Sequence, residues 1–168
     1  MKKINFVLTV LTLMLMYGCS HSDTGVVKQP SHSQHLNDEA QILQSWQGDY
    51  PTTQLLLLPE KQREQAFGFI GDAETFETIW KAFKPDEAVP EIDFKGNLVI
   101  FARNTRFFNR ISIGKVNVTN GVAQVLAMET MSAMPIEDKV AMSLVVVPWS
   151  GITAIQTDDE IFPVNKKL

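Results

Sequence analysis

From Pro51 onward the chain is a succession of short apolar runs separated by turn-forming residues, and the runs differ in period. Thr52 to Leu58 is a compact apolar stretch closed by Pro59, which predicts a buried strand. Ala66 to Ile70 is a second short strand candidate. After Gly71-Asp72 the period becomes helical: Phe76, Ile79, Trp80 and Phe83 fall at i, i+3, i+4 and i+7. Asp72 stands where an N-cap is needed, and Pro85 ends the helix. The rest reads as strands. Leu98 to Ala102 is a buried run entered through Lys95-Gly96-Asn97. Ile111, Ile113, Val116 and Val118 lead to Asn120-Gly121, a strong hairpin signal, and Val122 to Met128 returns from it. Val140 to Val147, Ile152 to Thr157 and Ile161 to Val164 follow, divided by Ser150-Gly151 and Asp158-Asp159. These elements predict an α+β domain, a mainly antiparallel sheet or small barrel with one packed helix.

Between Ser20 and about Asp49 no apolar period holds. Segments such as Gln-Pro-Ser-His-Ser-Gln-His are too polar to repay the entropy of ordering. Residues 19–50 therefore read as a flexible tether, with a root-mean-square reach of about 30 Å. Inside it Ile42, Leu43 and Trp46 fall at helical spacing, which predicts a short helix docking on the domain. His32 and His35, at i and i+3, could hold a metal loosely, but a solvated polar linker is the better reading of them.

Ahead of the tether, Met1-Lys2-Lys3 precedes an apolar run from Ile4 to Tyr17, broken only by Asn5, Thr9 and Thr12. Its fourteen residues suit a signal-peptide core, whereas a spanning helix needs roughly 20. The run ends in Met16-Tyr17-Gly18-Cys19, which resembles the lipobox of bacterial lipoproteins. Gly18 and Cys19 match that motif; Met16 stands where Leu is usual, and Tyr17 is bulky for its place. The resemblance implies a signal peptide over residues 1–18, removed on export, and a mature chain beginning with lipidated Cys19. Two or three acyl chains, at about 0.8 kcal/mol per buried CH₂, hold a protein to a membrane lastingly. Ser20 in place of the Asp that favours inner-membrane retention implies the outer membrane, facing the periplasm. The alternative is an ordinary secretory signal with Cys19 near its cleavage site.

Composition narrows the rest. At 168 residues, 45% hydrophobic and 20% charged, the chain holds one domain, residues 51–168, behind its leader. A single Cys excludes an internal disulfide framework, a Cys-cluster zinc site and a Cys-ligated iron–sulfur cluster. The three histidines are His21, His32 and His35, so nothing from Leu36 to Leu168 supplies imidazole. Ser-His-Asp and Cys-His catalysis and His-ligated metals are thereby removed from the domain. Cleavage after Gly18 takes Lys2 and Lys3 from the 15 basic residues and leaves 13 against 19 acids, a formal charge of −6. Nucleic acid is not an expected partner for that balance.

Three segments could carry chemistry. Arg103 to Arg110 sets Arg103, Arg106 and Arg110 beside Asn104, Phe107 and Phe108 in an otherwise acidic protein. As a loop it would offer guanidinium groups to carboxylate or phosphate and aromatic contact area to a partner. Alternatively Phe107 or Phe108 plugs the core while the arginines pair with nearby acids. Met128, Met131 and Met134 resemble the methionine motifs of periplasmic Cu(I)-handling proteins, although Met also fills gaps in cores. Glu91 with Asp93, Glu137 with Asp138, and Asp158-Asp159-Glu160 could supply carboxylates for cell-wall hydrolysis, or simply be solvated at turns. No phosphate-cradling Gly loop and no nucleophile elbow occurs, and no cofactor or catalytic residue is expected.

Trp80 on the helix, the step Ile92-Asp93-Phe94 and the apolar strand Leu98 to Phe101 together resemble a small bacterial envelope domain. It is the C-terminal domain family named after the PrcB subunit of a lipoprotein-associated protease complex, and the likeness covers residues 66–147. That family continues with a Thr-Gly-Gly-Tyr loop. Here Arg103 to Arg110 replaces it, and Thr105 alone corresponds. The resemblance implies an accessory or binding domain without catalysis. The reading is thus a lipid-anchored envelope binding module for a protein or anionic ligand. The alternatives are a Cu(I)-binding protein and a carboxylate-dependent cell-wall hydrolase.

Overall fold

Two strands explain the architecture. Asn97–Arg103 and Lys139–Pro148 are buried at odd and even positions alike, which only a strand covered on both faces tolerates. In the computed structural model, which describes residues 38–104, 110–130, 138–157 and 160–164, they lie side by side in the middle layer of three. The described strands are β1 (Asp38–Glu39), β2 (Gln44–Pro51), β3 (Phe67–Ile70), β4 (Asn97–Arg103), β5 (Arg110–Thr119), β6 (Val122–Thr130), β7 (Lys139–Pro148), β8 (Ala154–Gln156) and β9 (Ile161–Pro163). Helix α1 (Ala73–Phe83) follows β3, and two 3₁₀ helices, Thr52–Leu57 and Glu60–Gln62, follow β2.

The middle layer is a four-stranded antiparallel sheet in the order β2-β7-β4-β3. The second sheet runs β1-β5-β6-β8-β9 and is antiparallel except where β6 meets β8. The α+β class with a mainly antiparallel arrangement therefore holds, as two open sheets rather than a closed barrel. Leu98, Ile100, Ala102, Val145 and Val147 face the second sheet and pack on Ile111, Ile113, Val116 and Ile155. Val99, Phe101, Met142, Leu144 and Val146 face the other way, onto Phe76, Ile79, Trp80 and Phe83 of α1. Each of the buried Val, Leu, Ile, Phe and Met side chains contributes about 1.5–3 kcal/mol. Ser143 is the polar exception between the sheets, and its Oγ accepts from the backbone N of Ile113 at 3.2 Å.

Local signals account for the helix and the hairpin. Asp72 accepts from Thr75 N at 2.9 Å and from Thr75 Oγ1 at 3.0 Å, an N-cap that satisfies an otherwise orphan donor. Trp80 stacks edge-on with Trp46 at 5.1 Å and lies 5.6 Å from Phe76, so the aromatics serve packing. Asn120 (φ 52°) and Gly121 (φ 82°) both turn left-handed, which matches the twist of β5 and β6. A register shift between Ile113 and Lys115 leaves Gly114 as a bulge and changes the inward parity from 111 and 113 to 116 and 118.

Two expectations are corrected. Thr52 to Leu58 is not a buried strand: Thr52–Leu57 is a 3₁₀ helix, with Leu58 N donating to Leu55 O. β2 already occupies the free edge of β7 up to Pro51, so the chain must turn there, and it leaves Leu58 buried but Leu56 exposed. Nor do Ile42, Leu43 and Trp46 belong to a docking helix in a tether ending at 50. Gln44–Pro51 is strand β2, paired with β7 from Gln44↔Val146 to Pro51↔Lys139, and β1 pairs with β5. Trp46 and Tyr50 face α1 while Gln47 faces away, a period of two that long-range pairing enforces. The fold thus takes in residues from Asp38 on. Cys19, His32, His35 and the leader lie outside the described residues.

Candidate functional site

Arg103, the first residue of the expected binding loop, ends β4 and is only 4% exposed. Its Nε donates to Gln65 O at 3.0 Å, its Nη2 donates to Arg63 O, and its backbone N donates to Ala66 O at 2.8 Å. Burial lowers its pKa and the Glu64 carboxylate opposes that shift. Arg103 therefore ties down the 63–66 segment and offers nothing to a partner. Asn104 is likewise buried, its Nδ2 donating to Glu129 Oε2 at 2.9 Å and its N to Ala141 O at 3.0 Å. Arg110 is exposed at the head of β5. Arg106, Phe107 and Phe108 lie outside the described residues. Those two buried residues correct the picture of a continuous exposed loop, because strand ends buried beneath a crossing segment need donors for its carbonyls.

The other candidates are dispersed. Met128 is 71% exposed on β6, and Met131 and Met134 lie outside the described residues. Asp93 shapes a turn, its Oδ1 accepting from Lys95 N at 3.0 Å and its carbonyl from Asn97 N at 2.9 Å. Glu91 beside it is exposed, as are Asp138 and Glu160. Glu137, Asp158 and Asp159 are outside the described residues. Among the described residues no three His, Cys, Asp or Glu side chains gather where they could share a metal ion. No described helix is long and apolar enough to cross a membrane.

What Arg103 braces is a groove that composition alone does not reveal. The segment after β2 passes over the edge of β3 and the start of α1, and a hollow of about 420 Å³ opens beneath it. Leu56, Leu57 and Pro59 form one wall; Phe69, Gly71 and the Asp72–Thr75 cap form the other. Pro59, Glu60, Gln62, Phe69 and Pro163 also bound a second hollow of about 460 Å³, walled further by Ile161 and Phe162 of β9. The shared lining makes them two halves of one groove, each within the range of ligand sites.

Its floor is fixed by a buried amide. Gln62 is 6% exposed, and its Oε1 accepts from Phe69 N at 2.5 Å. Gly68 permits this, since a Cβ there would collide with Gln62 Oε1 and the Phe101 ring. Arg63 donates from Nε to Leu58 O at 3.1 Å, and no described carboxylate lies within 4.0 Å of its guanidinium. Leu56 is 71% exposed in one half of the groove and Ile161 60% in the other. Exposed apolar groups at the rims, a fixed floor, and the Arg63 guanidinium in a lining that also holds Glu60 and Asp72 make a mixed polar and apolar surface suited to a group carrying both characters. Among the described residues no His, Cys or Ser lines either half. The signal that could have located the groove is Leu55 to Leu58 bracketed by Pro51 and Pro59, four apolar residues that a single buried strand face cannot hold.

Comparison of the chain with protein-family models, with curated proteins and with solved structures returned no match.

Proposed function

We propose that this chain is a lipid-anchored binding or accessory module of the bacterial outer membrane, facing the periplasm and without catalysis of its own. Its groove takes an apolar side chain of an envelope protein partner, with Arg63 meeting a carbonyl or carboxylate beside it. The observation that carries this reading is a groove with exposed Leu56 in one half, exposed Ile161 in the other, and a half-buried Arg63 with no ion-pair partner among the described residues. Arginine is enriched in interface cores, and apolar groups exposed around a groove with polar neighbours suit a partner surface. The anchor rests on Gly18-Cys19 behind the apolar leader, and the tether that follows lets the domain reach a neighbour. The likeness of the Trp80 helix and the Ile92-Asp93-Phe94 step to an accessory-domain family points the same way.

The test uses the intact lipoprotein. Cys19→Ser should abolish incorporation of labelled fatty acid and release the chain from membranes. Leu56→Asp and Arg63→Gln should leave lipidation intact and reduce recovery of a specific co-purifying envelope protein about ten-fold, a loss of roughly 1.4 kcal/mol. Unlabelled wild type, or recovery equal to wild type in both groove variants, would contradict the reading.

A further inference from the structure

Among the described residues, β6 presents part of an edge that no other strand uses. It pairs with β5 along its whole length, from Thr119↔Val122 to Arg110↔Thr130. On its other side it pairs with β8 only at Val122, Ala123 and Gln124. From Val125 to Thr130 one row of backbone N–H and C=O groups thus has no strand partner among the described residues. Natural sheets blunt such an edge with Pro, a bulge or a free charge. Val125-Leu126-Ala127-Met128-Glu129-Thr130 has no Pro, and the nearby bulge lies on β5 instead. Its single charge, Glu129, lies at the strand end on the same face as Val125 and Ala127 and keeps its carboxylate, accepting from Asn104 Nδ2 at 2.9 Å. Val125 and Ala127 face the core between the sheets, while Leu126 (49% exposed) and Met128 (71% exposed) stand together on the outer face.

We infer that this edge pairs antiparallel with the same edge of a second copy of the chain, about a two-fold axis at Ala127. An open edge accepts an extended strand, and the side chains select which strand. Symmetric pairing at Ala127 sets Leu126 of each copy opposite Met128 of the other, so both large exposed apolar groups of this edge are covered at once. The same register sets Glu129 opposite Val125 and keeps the two carboxylates apart, so no like charges oppose. A slip by one residue would place outer-face side chains against inner-face ones, which sheet pleating forbids. Neither the groove nor the lipid anchor enters this argument.

Cysteine pairs read the register directly. Directly opposed residues in an antiparallel pair have Cα atoms about 4.5–5.5 Å apart, within disulfide reach. In the intact protein under a glutathione redox buffer, L126C/M128C should form disulfide-linked dimers at least about ten-fold faster than L126C or M128C alone, where equivalent cysteines sit offset by two residues. The parent protein measures any contribution of Cys19. Met128→Lys, which keeps the fold because its side chain is exposed, should shift sedimentation from dimer to monomer. Equal rates in the single and double variants, or wild type that is monomeric and shows no cross-linking in L126C/M128C, would overturn the inference; the latter is also the outcome expected if the edge serves a different protein.

Discussion

Arg103 and Arg110 have the same side chain and opposite duties. The guanidinium of Arg103 is buried and satisfies the carbonyls of Arg63 and Gln65, so Arg103→Gln leaves acceptors unpaired in the interior. Urea unfolding should show a loss of about 2–4 kcal/mol. Arg110→Gln, at an exposed strand end, should change stability by less than about 0.5 kcal/mol. The sequence shows three arginines in eight residues but not which is inside, because the acceptors of Arg103 come from 38 to 40 positions away. Tyr50 offers a pH signature. Burial raises its pKa from 10.0 to about 12, and its hydroxyl donates to Gln54 O at 3.0 Å. The unfolded chain therefore ionises first. The contribution is intact below pH 10 and is lost as pH rises from 10 to about 12, by roughly 3 kcal/mol in all. Denaturation curves across that range should show the decline in wild type and a shallower one in Tyr50→Phe.

Among the elements, α1 was the most legible. Its period, its Asp72 cap and its Pro85 stop are all local, and its buried face is Phe76, Ile79, Trp80 and Phe83 as the spacing implies. Asp72→Ala removes the acceptor for Thr75 N and should lower stability by about 1 kcal/mol, or about 4 °C in Tm. The hairpin at Asn120-Gly121 was equally local. β2 and the turn after it were not, since helical and strand spacings compete over short runs, and pairing with β7 nearly 100 residues later decides between them. The bulge at Gly114 was visible in hindsight as the step from odd to even apolar positions between Ile113 and Val116.

At the scale of the whole molecule, the middle sheet is covered by a second sheet on one face and by α1 on the other. That arrangement leaves the segment between β2 and β3 to cross the end of the helix layer, and the groove beneath it is a consequence of the crossing. Composition bounded the class by removing imidazole, disulfides and a basic surface. It could not place the groove, because Leu56 and Arg63 meet Phe69 in one half, and Ile161 meets it in the other, only after the sheets assemble. The expected arginine loop and the groove are nonetheless linked, since Arg103 holds the carbonyl of Arg63, a residue that lines one half of the groove, and the carbonyl of Gln65 beyond it. Loosening that brace should weaken binding without touching a partner.

The most direct test of a partner-binding groove is photo-cross-linking in intact cells. A benzophenone side chain at position 56 or 161 is compared with one at Glu77, exposed on the outer face of α1. The account predicts a discrete adduct of one size from positions 56 and 161, lost on Arg63→Gln and absent from position 77. Adducts of equal yield from all three positions, or none from the groove in cells where the protein is lipidated and folded, would contradict it.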